Sequence, residues 1–203
     1  MTQLKAFTFS VPFALALVLS QPAAAKSEEK AYAAGEMALG SEEAPVTVIE
    51  YASMTCPHCA AFHADTFDEL KEKYINSGKV RFVFREFPLD GLALRAAMLA
   101  RCSGEERFFA MIDVLFRQQK SWARAESPLA ALARIARLGG ISQERFNACM
   151  ADQSLADLVL QNRMTGEREY KVASTPTFIV NGEQYSGEQS LEQFDEILSK
   201  YLP

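Results

Sequence analysis

Within MTCPHCAAF, residues 54–62, two cysteines, Cys56 and Cys59, enclose Pro57 and His58. At this spacing a cysteine pair serves one of three chemistries: a reactive dithiol, half of a metal clamp, or a short structural staple. A c-type haem attachment needs histidine directly after the second cysteine, and Ala60 stands there instead. Zinc needs two more ligands, yet the remaining cysteines, Cys102 and Cys149, are 47 residues apart and lack the second close pair of a zinc ribbon. The dithiol reading therefore leads, with the staple left open.

A thiol attacks a disulfide only as its thiolate. Three neighbours favour that form at Cys56. A helix N-terminus turns unpaired N–H groups and the positive dipole end towards the sulfur. His58 can donate a hydrogen bond or carry a proton beside it. Pro57 suits a first helical turn, where its missing N–H costs nothing. Cys59, one turn further on, is expected to be more buried and to act as the resolving thiol. Were Cys56 to fall from about 8.5 to about 4, the folded reduced form would gain roughly 4 kcal/mol at pH 7, making the couple about 90 mV more oxidising. A depressed pKa stabilises the reduced form above the ordinary thiol value, and that stabilisation is lost as pH falls through the folded value.

The flanking elements place the pair. VTVIEY, residues 46–51, follows Pro45 and is β-rich, so it reads as a strand running towards Cys56. After Cys56, Phe62, Phe67, Leu70 and Tyr74 recur at helical spacing until Asn76-Ser77-Gly78. VRFVF, residues 80–84, is a second strand. Strand, helix and strand make a right-handed βαβ unit with parallel strands, and the cysteines sit where strand gives way to helix. From Gly91 to about Val172 the chain reads as helical: Leu92, Ala96, Leu99 and Cys102 share one face, Phe108, Ile112, Leu115 and Phe116 another, Leu129, Leu132, Ile135 and Ala136 a third. Then come TFIV, the turn Asn181-Gly182, a short strand near Gln184-Tyr185, and a last helix opened by Ser190 and Gln193 as a capping box.

The whole chain has 203 residues and a net charge of −5. It opens with Lys5, an apolar run from Phe7 to Leu19 and small residues through Ala25, the three parts of a cleaved secretory signal over residues 1–25. The run is shorter than the ~20 residues that span a bilayer. Residues 26–203 suit one domain, with 20 basic against 26 acidic side chains, a balance that gives no support to nucleic-acid binding or to an anionic membrane. All four cysteines follow the signal, and exported proteins keep disulfides.

CPHC, the later STPTF of residues 174–178 and the order βαβ, helical insert, ββα together resemble the DsbA-like thiol:disulfide oxidoreductases. The resemblance covers almost all of residues 36–203, and Pro57-His58 is the dipeptide typical of DsbA oxidants. It implies an α/β, thioredoxin-like fold around a central mixed sheet, formed by residues 36–90 and 172–203, with an all-helical insert over 91–171. It also implies that Pro176 is a cis-proline facing Cys56 and Cys59, and that Thr175 offers backbone to an extended substrate, so that recognition depends little on side chains. Thr175 departs from the valine frequent in DsbA oxidases and is also typical of related isomerases and reductases. Glu50 matches a buried acid that aids proton transfer in such folds, with an ordinary strand position as its alternative; Arg85 is a candidate partner for it. His63, four residues after Cys59, is expected to pack or face solvent. Cys102 and Cys149, each on an apolar helical face, are expected to form a structural disulfide, free buried thiols being the alternative.

The resemblance thus implies a periplasmic, monomeric oxidase that donates the Cys56–Cys59 disulfide to reduced exported proteins. A quinone-linked membrane oxidase of the DsbB type would recharge it, and no metal or organic cofactor is implied. Two other readings remain: an isomerase or reductase kept reduced by a membrane donor, and a non-catalytic peptide-binding chaperone using the groove beside Pro176.

Overall fold

The computed structural model describes residues 1–2 and 32–202. The signal assigned to residues 1–25 lies outside the described residues apart from Met1 and Thr2. Strand β1 (Met37–Leu39) leads into β2 (Val46–Ala52), and Pro57 then opens helix α1 (Pro57–Asp65). The single helix expected beyond Cys56 is broken into three pieces. Thr66, β-branched and at φ −123°, ends α1, and α2 (Phe67–Leu70) runs on into a wider π-helical stretch, Lys71–Ile75. All four apolar positions read from the pattern, Phe62, Phe67, Leu70 and Tyr74, are nevertheless buried. Gly78, at φ +74°, makes the turn back into β3 (Val80–Glu86).

Between β3 and the next strand the chain is helical: α3 (Gly91–Cys102), α4 (Phe108–Arg117), α5 (Gln119–Ala123), α6 (Pro128–Leu138), α7 (Gln143–Ala151) and α8 (Gln153–Glu169). The faces read from the sequence are buried save at their ends, where Leu92 is half-buried and Leu129 exposed. Strands β4 (Thr177–Val180) and β5 (Glu183–Ser186) form a hairpin whose turn residues, Asn181 and Gly182, both have positive φ. Helix α9 (Leu191–Ser199) begins with the reciprocal Ser190–Gln193 capping box and buries Phe194, Ile197 and Leu198.

The sheet order is β1-β3-β2-β4-β5, with β2 and β3 parallel and the other pairs antiparallel. This is a thioredoxin-like sheet with a helical insert between β3 and β4. The three-residue β1 escaped the sequence reading because so short a segment has no usable period. Strand alternation divides the core. Val46, Val48, Glu50 and Ala52 of β2 and Val80, Phe82 and Phe84 of β3 face the side covered by α1 and the insert, while Ile49, Tyr51 and Val83 face the side reached by the end of α8 and by Val172. There Gly166 of α8 lies flat on Tyr51: a Cβ on it would come within 2.7 Å of the ring.

Candidate active site

Cys56 is the N-cap of α1, in extended conformation, with Pro57 at the first helical position. Its carbonyl accepts from Ala60 N at 3.2 Å, and no side chain caps the helix, so the first-turn N–H groups are left to the sulfur. Across from it, the Thr175–Pro176 bond is cis, and Cys56 Sγ donates to Thr175 O at 3.2 Å. Pro176 immediately precedes β4, which pairs with β2, so adjacent strands deliver both halves of the site to one end of the sheet.

The two thiols are set apart. A hydrogen bond from the Cys59 thiol, the largest influence, holds Cys56 down to about 5 from an ordinary 9.0; burial opposes it, and Thr175 and the backbone N–H groups of Cys59 and His58 add to it. The Thr175 hydroxyl is buried and has no hydrogen-bond partner among the described residues while Cys56 is a thiol, which leaves it as a spare donor to the thiolate. Burial, then the hydrogen bond with Cys56 and the charge of Glu50, push Cys59 well above the usual thiol range. Both cysteines are unbonded thiols. The helix terminus therefore acts through backbone donors. The His58 ring points elsewhere: its Nδ1 lies 3.2 Å from Glu188 Oε2 and the side chain is 71% exposed.

Glu50 and His63 meet below Cys59. His63 Nε2 is 2.9 Å from Glu50 Oε2, and both side chains are buried. The solvent position considered for His63 is thereby excluded. Arg85 cannot reach Glu50 because alternation sends it through the opposite face of the sheet. It bonds the Tyr51 hydroxyl at 2.9 Å and Glu36 at 3.0 Å.

The insert contributes a residue that sequence reasoning missed. Gln119 of α5, buried, donates its amide to Met54 O at 2.9 Å and Cys56 O at 2.8 Å. A glutamine inside a helical run carries no signal of such a role, since its partners are 63 and 65 residues away. Gln119→Leu is expected to cost about 1–3 kcal/mol, because the Met54 carbonyl is left buried and unpaired. Denaturant unfolding gives the loss, and faster amide exchange confined to residues 54–59 would locate it. On the other side of the loop Thr55 donates to Asp90 Oδ2 at 2.8 Å, while Asp90 Oδ1 caps α3 through Ala93 N.

Cys102 of α3 and Cys149 of α7 are bonded to each other within the insert. Among the described residues, no group of three or more His, Cys, Asp or Glu is placed to hold a metal ion. A groove of about 710 Å³ opens beside His58 and Thr175 and runs along Glu69, Glu188 and Glu192 towards α9.

A thiol held low at a helix start, a buried second thiol one turn on and a cis-proline opposite come together at one end of a thioredoxin-like sheet. A family model described as thioredoxin matches residues 33–200. A Rickettsia bellii protein named as a protein-disulfide oxidoreductase is 37% identical over 150 residues, 73% of this chain and 58% of the relative. One from Rickettsia conorii is 36% identical over 168 residues, 82% and 60% of the two chains. The chain thus spans about three fifths of the length of these curated relatives. The crystal structure of Wolbachia pipientis alpha-DsbA1 superposes with a TM-score of 0.76 at 34% identity, covering 82% of this chain and 90% of that one. BdbD from Bacillus subtilis, 23% identical, shares the fold with a TM-score of 0.71, covering 82% and 92%. The chain belongs to the DsbA-like family of thioredoxin-fold proteins.

Proposed function

We propose that the protein is an exported thiol:disulfide oxidase, a single domain of residues 26–203 acting as a monomer in the periplasm. It donates the Cys56–Cys59 disulfide to reduced exported proteins. The observation that carries this reading is the division between the thiols: Cys56 held at about 5, Cys59 pushed far the other way. A substrate thiolate attacks Cys56, the Cys56–Cys59 bond breaks, and Cys59 leaves with the electron pair. A second substrate thiolate then attacks the substrate sulfur of the mixed disulfide and releases Cys56 as a stable thiolate. The substrate loses two electrons and the dithiol holds them. An extended segment lying in the groove beside Thr175 and Pro176 would be held by backbone pairing. Glu50 serves proton transfer at Cys59, the Cys102–Cys149 bridge is structural, and a membrane oxidase of the DsbB type recharges the pair.

The test is equilibration with glutathione buffers, followed by thiol trapping and mass spectrometry. At pH 7 a fall from 9.0 to about 5 favours the reduced form by about 3 kcal/mol, or about 60 mV, over a pair with an unshifted thiol. The expected result is a Cys56–Cys59 couple well above the thioredoxin value of about −270 mV, with Cys102–Cys149 still bridged. A thioredoxin-like potential would move the assignment to a reductase or isomerase, a reading with which Thr175 is also consistent. Absence of exchange would leave a peptide-binding protein.

A further inference from the structure

Breaking the Cys56–Cys59 bond leaves a thiolate on Cys59, a fully buried position where burial and the charge of Glu50 both oppose it. A proton must reach that sulfur from inside the protein. On α1, Cys59 and His63 are four residues apart and so share one helix face, which lies over β2. The side chain of Glu50 rises from β2 into the same layer, with Oε2 on His63 Nε2 at 2.9 Å and Oε1 without a hydrogen-bond partner among the described residues. His63 is held in place by ring contacts, stacked on Phe116 of α4 at 4.4 Å and 22° and tilted against Phe67 of α2 at 4.7 Å. The other groups packed on the pair are also uncharged: Phe84 of β3 against the His63 ring and opposite Glu50 in register, and Phe178 of β4 opposite Glu50. The titratable neighbour is Cys59. A histidine serving only to fill this wall would need no carboxylate, and phenylalanine would fill it without a buried polar pair.

We propose that His63 is the proton partner of Glu50 and, acting through it, sets the protonation of Cys59 during exchange. This rests on Cys56 and Cys59 being the exchanging pair. When the Cys56–Cys59 bond breaks, the proton shared between His63 Nε2 and Glu50 Oε2 is transferred by way of the carboxyl to Cys59 Sγ, leaving a thiol there and an imidazole and carboxylate behind. In the reverse direction the carboxylate takes the Cys59 proton as that sulfur attacks a mixed disulfide at Cys56, and His63 receives it. The net stoichiometry is one enzyme disulfide, two substrate thiolates and one proton giving one substrate disulfide, one Cys56 thiolate and one Cys59 thiol. His63 touches neither sulfur in this scheme and is a positioning residue.

The experiment compares wild type, His63→Gln, Glu50→Gln and the double variant. The rate of reduction of the Cys56–Cys59 disulfide by dithiothreitol is measured from pH 5 to pH 9, alongside the Cys56 thiolate titration at 240 nm. His63→Gln keeps a hydrogen-bond donor towards Glu50 but has no transferable proton. It is expected to slow reduction about tenfold or more at pH 8–9, the loss shrinking towards pH 5 where solvent protons are abundant, with the Cys56 midpoint unmoved. The double variant should be no slower than Glu50→Gln, because one relay is broken in both. A His63→Gln rate within twofold of wild type at every pH would overturn the proposal. So would a loss uniform in pH, or losses that multiply in the double variant, since either marks a packing role. If His63→Gln does not fold, His63→Asn, which leaves Glu50 in place and likewise has no transferable proton, must show the same pH-dependent loss. A wild-type disulfide inert to dithiothreitol at every pH would overturn the functional reading itself, and this proposal with it.

Discussion

The reduced and oxidised proteins are expected to exchange their order of stability between pH 8 and about pH 4.5, with Cys102–Cys149 bridged throughout. Folding lowers Cys56 from 9.0 to about 5, chiefly through the Cys59 hydrogen bond. A depressed acid contributes stability that is present above its unfolded value and disappears as pH falls through its folded one. At about 1.4 kcal/mol per unit, the reduced form gains about 4 kcal/mol at pH 8, about 3 at pH 7 and almost nothing at pH 4.5. The oxidised form has an opposing advantage. Closing the four-residue loop from Cys56 to Cys59 restricts the unfolded chain by about 2 kcal/mol, and that gain does not depend on pH. The reduced form should therefore be the more stable by about 2 kcal/mol at pH 8, and the oxidised form by about 2 kcal/mol at pH 4.5. Above pH 9 Cys59, whose thiol burial pushes up, works in the opposite direction, so the comparison belongs below that value. Urea midpoints of the two redox forms at both pH values are the measurement. An oxidised form that stayed the more stable at pH 8 would mean that the fold does not hold Cys56 as a thiolate.

Arg101→Met is expected to lose about 3–5 kcal/mol although Arg101 touches neither cysteine. Arg101 is 1% exposed, and its guanidinium grips Glu86 at both oxygens, Nε to Oε1 at 2.5 Å and a terminal nitrogen to Oε2 at 3.0 Å. The remaining donors reach Ala33 O at 2.8 Å and Gly35 O at 2.9 Å, while Asn162 of α8 adds a bond to Glu86 at 2.6 Å. One buried pair thus ties the end of β3, two helices of the insert and the segment before β1. Removing the cation leaves a buried carboxylate without a counter-charge, and that uncompensated burial is the larger part of the cost. Arg101→Met combined with Glu86→Leu removes both charges and should lose clearly less, about 1–3 kcal/mol for the carbonyls and the Asn162 amide left unpaired. A single-variant loss below about 1 kcal/mol would mean that water reaches Glu86. The consequence for the site is direct: Phe87 N, just past Glu86, donates to Ala52 O at 2.7 Å, and Leu89 N to Ser53 Oγ at 3.3 Å. The end of β3 is what steadies the strand leading into Cys56.

Local chemistry made much of this molecule legible in its sequence. VTVIEY and VRFVF have the β-rich character of buried strands, Pro57 marks a first helical turn, and Asn181-Gly182 supplies the two positive-φ residues of a tight hairpin. The Ser190–Gln193 box is equally local, since both of its bonds close within three residues. Where the pattern misled, tertiary contacts outweighed it. Leu129 stands on an apolar helical stripe and is exposed because it lies at the outer end of α6, and the helix after Cys56 breaks at Thr66 where periodicity alone would carry it on.

By itself, then, the sequence determined the order of elements from β2 onward and the position of the Cys56–Cys59 pair at a helix start, because each depends on residues within a turn or two of one another. Partnership across the chain was decided only in three dimensions. Whether Glu50 would meet Arg85 or His63 turned on which face of β2 it occupies, and alternation along paired strands puts Arg85 behind the sheet and His63 in front of it. The hold of Gln119 on the active-site loop and the hydrogen bond from Cys56 to Thr175, 119 residues away, arise only when the insert and β4 close on the end of β2. A buried polar group takes whichever partner packing brings within 3 Å, and packing is a property of the whole fold.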